Sequence, residues 1–257
     1  MNLFWDPNLQ QYSQVREMMK RLVVVTGASG GMGSAAVSEF KSKGFVTVGI
    51  DAKGDNSDCD HFFTGDICDE SLWSAISSAI ASQYGKVDAL VNIAGRNYLS
   101  LIEDADINQW RNMFDVNVIG MVTSIKHLRK LLDKSDAAAI VNMGSISGYI
   151  GSIGYAAYCS TKGAVDSMTK SLALELAPKI RVNAIAPGWI ETPFTVEGLE
   201  KSENPVAYRR DVEAMHALNR VGTPEEIAKS IYWMCSPESS FMTGTVVIVD
   251  GGYMIKN

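Results

Sequence analysis

Short apolar runs alternate with helix-length amphipathic segments along nearly the whole chain. Leu22–Thr26 (LVVVT) reads as a buried strand, and Phe45–Ile50, Phe62–Thr64, Ala89–Asn92, Ala138–Met143, Arg181–Ala186 and Val246–Val249 are further strand-like runs. Between them lie helical patterns near Met32–Lys43, Ser71–Gln83, Ile107–Leu132, Ala156–Leu176 and Glu225–Cys235. Regular alternation of strand and helix implies right-handed crossovers and a parallel sheet with helices on both faces. Ligands of such sheets bind beyond the carboxyl ends of the strands. Each chemical motif of this chain falls at one of those ends or on the helix that follows.

Composition narrows the class. With 257 residues, 46% hydrophobic and 20% charged, the chain reads as globular and long enough for a large core. The net charge of −6 disfavours a broad nucleic-acid surface. The four cysteines show no CxxC spacing, and His127 and His216 lie far from them. A zinc knuckle, another metal site or a disulfide framework is not expected, and a reducing cytoplasmic setting fits. The charge-free stretch from Ala137 to Thr161 is interrupted by Asn142, serines and glycines. It reads as a buried strand plus an active-site loop, not as a membrane span. Residues 1–20 form an extension without signal-peptide character. Leu9, Tyr12, Val15 and Met19 could make one face of a short helix. The extension is expected to lie on the surface, the alternative being an arm packed on a neighbouring subunit.

The first strand runs into Thr26-Gly27-Ala28-Ser29-Gly30-Gly31-Met32-Gly33. Glycines there let a backbone approach a pyrophosphate, and the next helix offers free N–H groups and a positive dipole end. Ser29 and Met32 sit between the glycines of this candidate cradle. The G-x-x-x-G-x-G spacing of Gly27, Gly31 and Gly33 resembles the short-chain dehydrogenase/reductase superfamily. Asp51 ends the second strand, twenty-four residues past Gly27. A carboxylate there accepts from ribose hydroxyls and repels a 2′-phosphate, and no Arg or Lys lies within the glycine turn, so the reading is NAD rather than NADP.

Among nine tyrosines only Tyr158 has a lysine four residues on, Lys162, which puts both on one helical face. The ammonium and a positive nicotinamide ring are expected to lower the tyrosine pKa, making the phenolate a general base toward an alcohol. Ser145, thirteen residues earlier, could hold the substrate oxygen. Ser145, Tyr158 and Lys162, with Asn117, resemble the superfamily's catalytic tetrad in order and spacing.

That resemblance covers about residues 21–254. It implies a single-domain, Rossmann-like, doubly wound α/β fold over 21–257. It implies that Asp66 and Ile67 meet the adenine, and that Asn92, Ala94 and Gly95, with Ile93 as a departure from the family's NNAG, line the cofactor. Pro187, Gly188, Ile190 and Thr192 are implied to grip the nicotinamide carboxamide. Asn117 is implied to distort its helix and to hold a water that relays protons through Lys162. Capping of the helix near Asp69 stays open as another role for Asp66. The resemblance also implies a helical substrate lid over 193–219 and a homotetramer that pairs the helices near Ile107–Leu132 and Ala156–Leu176.

Substrate candidates are Arg96, Asn97, Ser147, Tyr149 and Trp189, a mixed polar and aromatic set. They fit a small polar secondary alcohol such as a sugar, cyclitol or hydroxy acid. Arg96 and Arg209 remain open as solvated side chains or substrate clamps. The runner-up is a 3-oxoacyl-carrier-protein reductase, which Asp51 and the lack of a strongly basic approach to the fifth strand disfavour. A third reading, a non-catalytic NAD-binding regulator, conflicts with the intact tetrad.

Overall fold

The computed structural model describes residues 20–54, 58–193, 195–196 and 204–256. The anticipated face of Leu9, Tyr12, Val15 and Met19 and positions 194 and 197–203 of the anticipated lid lie outside them. The strands are β1 (Leu22–Thr26), β2 (Val46–Asp51), β3 (His61–Thr64), β4 (Ala89–Asn92), β5 (Ala138–Met143), β6 (Ile180–Pro187) and β7 (Val246–Val249). They form one sheet in the order β3-β2-β1-β4-β5-β6-β7, parallel throughout. The chain winds outward from β1 to β3, then returns to add β4 on the other side of β1. A crevice opens at that reversal, beyond the carboxyl ends of β1 and β4.

The helices are α1 (Gly31–Ser42), α2 (Glu70–Gln83), α3 (Ile107–Phe114), α4 (Gly120–Leu132), α5 (Ala156–Leu176), α6 (Pro205–Ala214) and α7 (Pro224–Cys235). Successive side chains of a strand point to opposite faces of the sheet, so β1 feeds two cores. Leu22 and Val24 pack with Trp73, Ile76 and Ile80 of α2 and Leu128 of α4. Val23 and Val25 pack with Val37 and Phe40 of α1 and Ile227 and Ile231 of α7. Having apolar residues at every position is what burial on both faces requires.

Two features depart from the hydrophobic pattern. The long segment anticipated over Ile107–Leu132 is broken by a π-helical turn at Asp115–Ile119, centred on the buried Asn117. Helix α6 carries no apolar stripe, because only its Val212 is buried. It is instead defined at its start, where the Asn204 side chain accepts the Ala207 N–H ahead of Pro205. No described helix is long and apolar enough to cross a membrane.

The largest fully buried side chain is Trp73, whose indole N–H donates to the Ile67 carbonyl at 2.7 Å. Trp73→Ala removes that bond and leaves a cavity under β1 and β2. It should cost about 3–5 kcal/mol, read as a lower midpoint in chemical denaturation.

Candidate active site

The crevice is closed at its base by backbone contact. The Thr26 hydroxyl accepts the N–H groups of Ile93 (3.1 Å) and Ala94 (3.2 Å), which joins the ends of β1 and β4. Gly27 follows at φ +70°, and a Cβ there would lie 2.8 Å from the Ala94 nitrogen. A Cβ on Gly33 would overlap the Gly27 carbonyl, so this turn seats on α1 only with glycine at both positions. Helix α1 begins at Gly31 with no side-chain cap and no acidic residue in its first turn. Its N–H groups and positive end are left for an anion, and the missing Cβ atoms leave room for one. The cradle therefore fits a dinucleotide pyrophosphate. Gly31 also touches the loop after β6, where a Cβ would come 3.1 Å from Thr192 Cγ2.

Asp51 braces this turn from the end of β2. Its carboxylate accepts from the Ser29 N–H at 3.0 Å and the Lys53 N–H at 3.4 Å. Asp66 accepts the Cys68 N–H at 2.9 Å, while Asp69 caps α2 by accepting from Ser71. The capping alternative for Asp66 is thus taken by Asp69. The Ile67 side chain is buried against Gly120, where a Cβ would lie 2.5 Å from it. The Asn92 side chain is committed inside the sheet. It donates to Asn142 at 3.0 Å and accepts from Ser124 at 2.8 Å, and Asn142 donates on to Thr169 at 3.1 Å.

The four tetrad candidates converge. Helix α5 presents Tyr158 and Lys162 one turn apart, with the amino group 5.5 Å from the phenol ring centroid. Ser145 ends the β5 loop, lies beside the Tyr158 hydroxyl and accepts the Ser147 N–H at 3.1 Å. Asn117 reaches both neighbours from its π turn. It accepts the Arg96 N–H at 2.8 Å, and donates to the Arg96 carbonyl at 3.0 Å and the Thr161 hydroxyl at 3.1 Å. The Thr161 hydroxyl in turn donates to the Tyr158 carbonyl at 2.8 Å. A phenol, a hydroxyl and an amine so placed can bind an alcohol oxygen and exchange its proton.

The expected lowering of the Tyr158 pKa counts on the charge of a bound nicotinamide. In the cofactor-free protein that pKa is pushed up to about 12, because desolvation disfavours the phenolate more than the neighbouring Ser145 favours it. Lys162 is also buried, its amino group donating to the Met143 carbonyl at 2.7 Å. Burial takes its pKa down to about 8 against the pull of Asp166. Phenolate formation near neutral pH therefore needs positive charge beyond what the folded chain supplies.

A family profile described as Enoyl-(Acyl carrier protein) reductase matches residues 27–254. A cis-4-hydroxycyclohexanecarboxylate dehydrogenase of Sinomonas cyclohexanicum is 32% identical over 91% of this chain and 96% of its own length. An NADP-dependent (R)-specific alcohol dehydrogenase of Lentilactobacillus kefiri matches at 32% over the same shares. The ligand-free aldohexose dehydrogenase of Thermoplasma acidophilum superposes with a TM-score of 0.88 at 30% identity, covering 94% of this chain and 96% of that one. The chain belongs to the short-chain dehydrogenase/reductase superfamily. It is an oxidoreductase of an alcohol/ketone, nicotinamide-dependent family.

In this superfamily member the substrate candidates do not form one cluster of free groups. The Arg96 guanidinium donates to Gln109 at 3.0 Å. Arg209 is paired with Glu191 and Glu213, both at 3.0 Å, so its charge is neutralised. The Tyr149 hydroxyl lies beside Asp166. Trp189 packs edge-on against Tyr208 of α6, with ring centroids 6.2 Å apart. Gly188 lies under Asp250, where a Cβ would sit 2.9 Å from the Asp250 Cα. The Asn97 side-chain oxygen is buried with no hydrogen-bond partner among the described residues.

Several positioning residues escape the motifs. Thr26, Thr161 and Thr195 are hydroxyls that acquire partners only on folding. The Thr195 hydroxyl donates to the Ile190 carbonyl at 2.6 Å and accepts the Thr192 N–H at 2.9 Å, which occupies that carbonyl. Thr26 and Thr161 adjoin motif residues, the one available signal for them.

Ultraviolet difference titration of the cofactor-free protein against Tyr158→Phe tests the electrostatics. Because burial raises this pKa, no Tyr158 tyrosinate should form below about pH 10. A tyrosinate signal at pH 8 would contradict the burial argument.

Proposed function

We propose that this protein is an NAD-dependent dehydrogenase of a small polar secondary alcohol, such as a sugar, cyclitol or hydroxy acid. The observation that carries the reading is the convergence of Ser145, Tyr158, Lys162 and Asn117 beside a glycine cradle. Ser145 holds the substrate oxygen. Tyr158 takes the hydroxyl proton, and Lys162 stabilises the resulting phenolate. A bound nicotinamide would supply the acceptor for the hydride of the carbinol carbon and a positive charge that favours the phenolate. Asn117 keeps Gly95 and Arg96 in register with α5 and so positions the tyrosine. In the opposite direction the same phenol protonates a ketone oxygen.

Asp51 supports NAD: its carboxylate, held by Ser29 and Lys53, would meet a 2′-phosphate with like charge. The dehydrogenases of cis-4-hydroxycyclohexanecarboxylate and aldohexose favour a cyclic alcohol. The assay is NADH formation at mildly alkaline pH with cyclic polyols, sugars, hydroxy acids and aliphatic alcohols. Turnover should prefer NAD⁺ over NADP⁺ and fall at least about 100-fold in Tyr158→Phe, the weight of a general base. Turnover confined to NADPH and acyl thioester ketones would replace this reading with a carrier-protein reductase. Cofactor binding without Tyr158-dependent turnover would replace it with a regulator.

The assembly we infer is a homotetramer. Exposed Ile107, Ile119 and Val122 on α3, the π turn and α4, with Phe241 and Ile248 toward the C-terminus, are the apolar surface that supports it. Sedimentation at micromolar concentration should give four times the chain mass, and Val122→Asp should reduce it.

A further inference from the structure

Asp166 has a place that the tetrad does not explain. It lies on α5, one turn beyond Lys162 and two beyond Tyr158, and only 7% of it is exposed. Its carboxylate fills the space that two glycines leave open. A Cβ on Gly144 would lie 3.1 Å from Oδ1, and one on Gly148 would lie 3.1 Å from Oδ2. Those glycines bracket Ser145-Ile146-Ser147, the turn that presents the tetrad serine. The phenol of Tyr149, the next residue, lies beside the same carboxylate. Oδ1 has no hydrogen-bond partner among the described residues.

A buried carboxylate with an unpartnered oxygen is destabilising unless opposite charge is near. Two cations face Asp166, Lys162 and Lys170, both on α5. The turn after β5 contributes the neutral Tyr149 and the backbone of Gly144 and Gly148, and Gly144 is bonded to the Ile185 carbonyl of β6.

We propose that Asp166, with Tyr149 beside it, is a positioning residue that clamps the Ser145 turn onto the helix of Tyr158 and Lys162 and supplies the negative charge opposing the Lys162 ammonium. The inference rests on the tetrad reading for its catalytic meaning. The charge and the clamp are properties of the folded chain alone. Burial drives Lys162 toward its neutral form, and Asp166 opposes that. Loss of the carboxylate charge therefore lowers the Lys162 pKa, narrows the pH range in which the lysine is an ammonium, and withdraws support from the phenolate at alkaline pH.

Asp166→Asn keeps the size of the side chain and an acceptor beside Tyr149 while removing the charge. The Lys162 midpoint is read in the cofactor-free protein by NMR of ¹³C-labelled lysine, assigned with Lys162→Met. It should fall by roughly half a pH unit or more. In turnover, the alkaline limb of the kcat profile should move to lower pH by a similar amount, with KM little changed. Tyr149→Phe keeps the charge and loosens the turn, and should lower kcat roughly 2- to 10-fold. An unchanged Lys162 midpoint in Asp166→Asn overturns the charge role. Parental kcat in Tyr149→Phe overturns the clamp. Turnover that survives Tyr158→Phe overturns the tetrad reading instead, and the lysine midpoint still decides the charge role of Asp166.

Discussion

The whole site hangs on the contact between the ends of β1 and β4. Thr26 binds the backbone of Ile93 and Ala94, and Gly27 presses against Ala94 where no side chain would fit. That closure places Gly95 and Arg96 at a fixed height over the sheet. Asn117 then clasps both backbone groups of Arg96 and passes the constraint to Thr161, which is bonded to the Tyr158 carbonyl. Hydrogen bonds, joined through the backbone of Gly95, thus run from the glycine turn to the candidate catalytic helix. The π turn is part of this path, since the widened turn is where Asn117 stands with its side chain fully buried and satisfied.

The second determinant is dehydration. The Lys162 amino group lies in a protein interior that favours its neutral form, and the Tyr158 hydroxyl lies where the phenolate is disfavoured. The resting protein therefore keeps the phenol protonated, in contrast to a free-standing base. Charge brought near such a pair is felt more strongly than in open solvent, because the buried Lys162 is weakly screened.

Much of the architecture was legible in advance because the sheet is buried on both sides. All seven strand-like runs are strands, and the helix over Ala156–Leu176 has the anticipated bounds. The glycine turn was legible because steric exclusion leaves little choice of residue at Gly27 and Gly33. The tyrosine–lysine pair was legible because one helical turn fixes their relation whatever the rest of the chain does. Helix α6 was not marked by any pattern, since it turns only Val212 inward.

The linear order of residues by itself determined what depends on neighbours: the strands, the glycine turn, the pairing of Tyr158 with Lys162 and the carboxylate at Asp51. Tertiary structure alone decided what depends on distant partners. It set the Tyr149 hydroxyl beside Asp166, and gave the Arg209 charge to Glu191 and Glu213 and the Asn92 amide to Asn142. It also set the desolvation that raises the Tyr158 pKa in the cofactor-free protein. The physical reason is common to all of these. Backbone conformation and short-range spacing are local properties, whereas burial and hydrogen-bond partnership are settled only when segments far apart in the chain exclude water from one another.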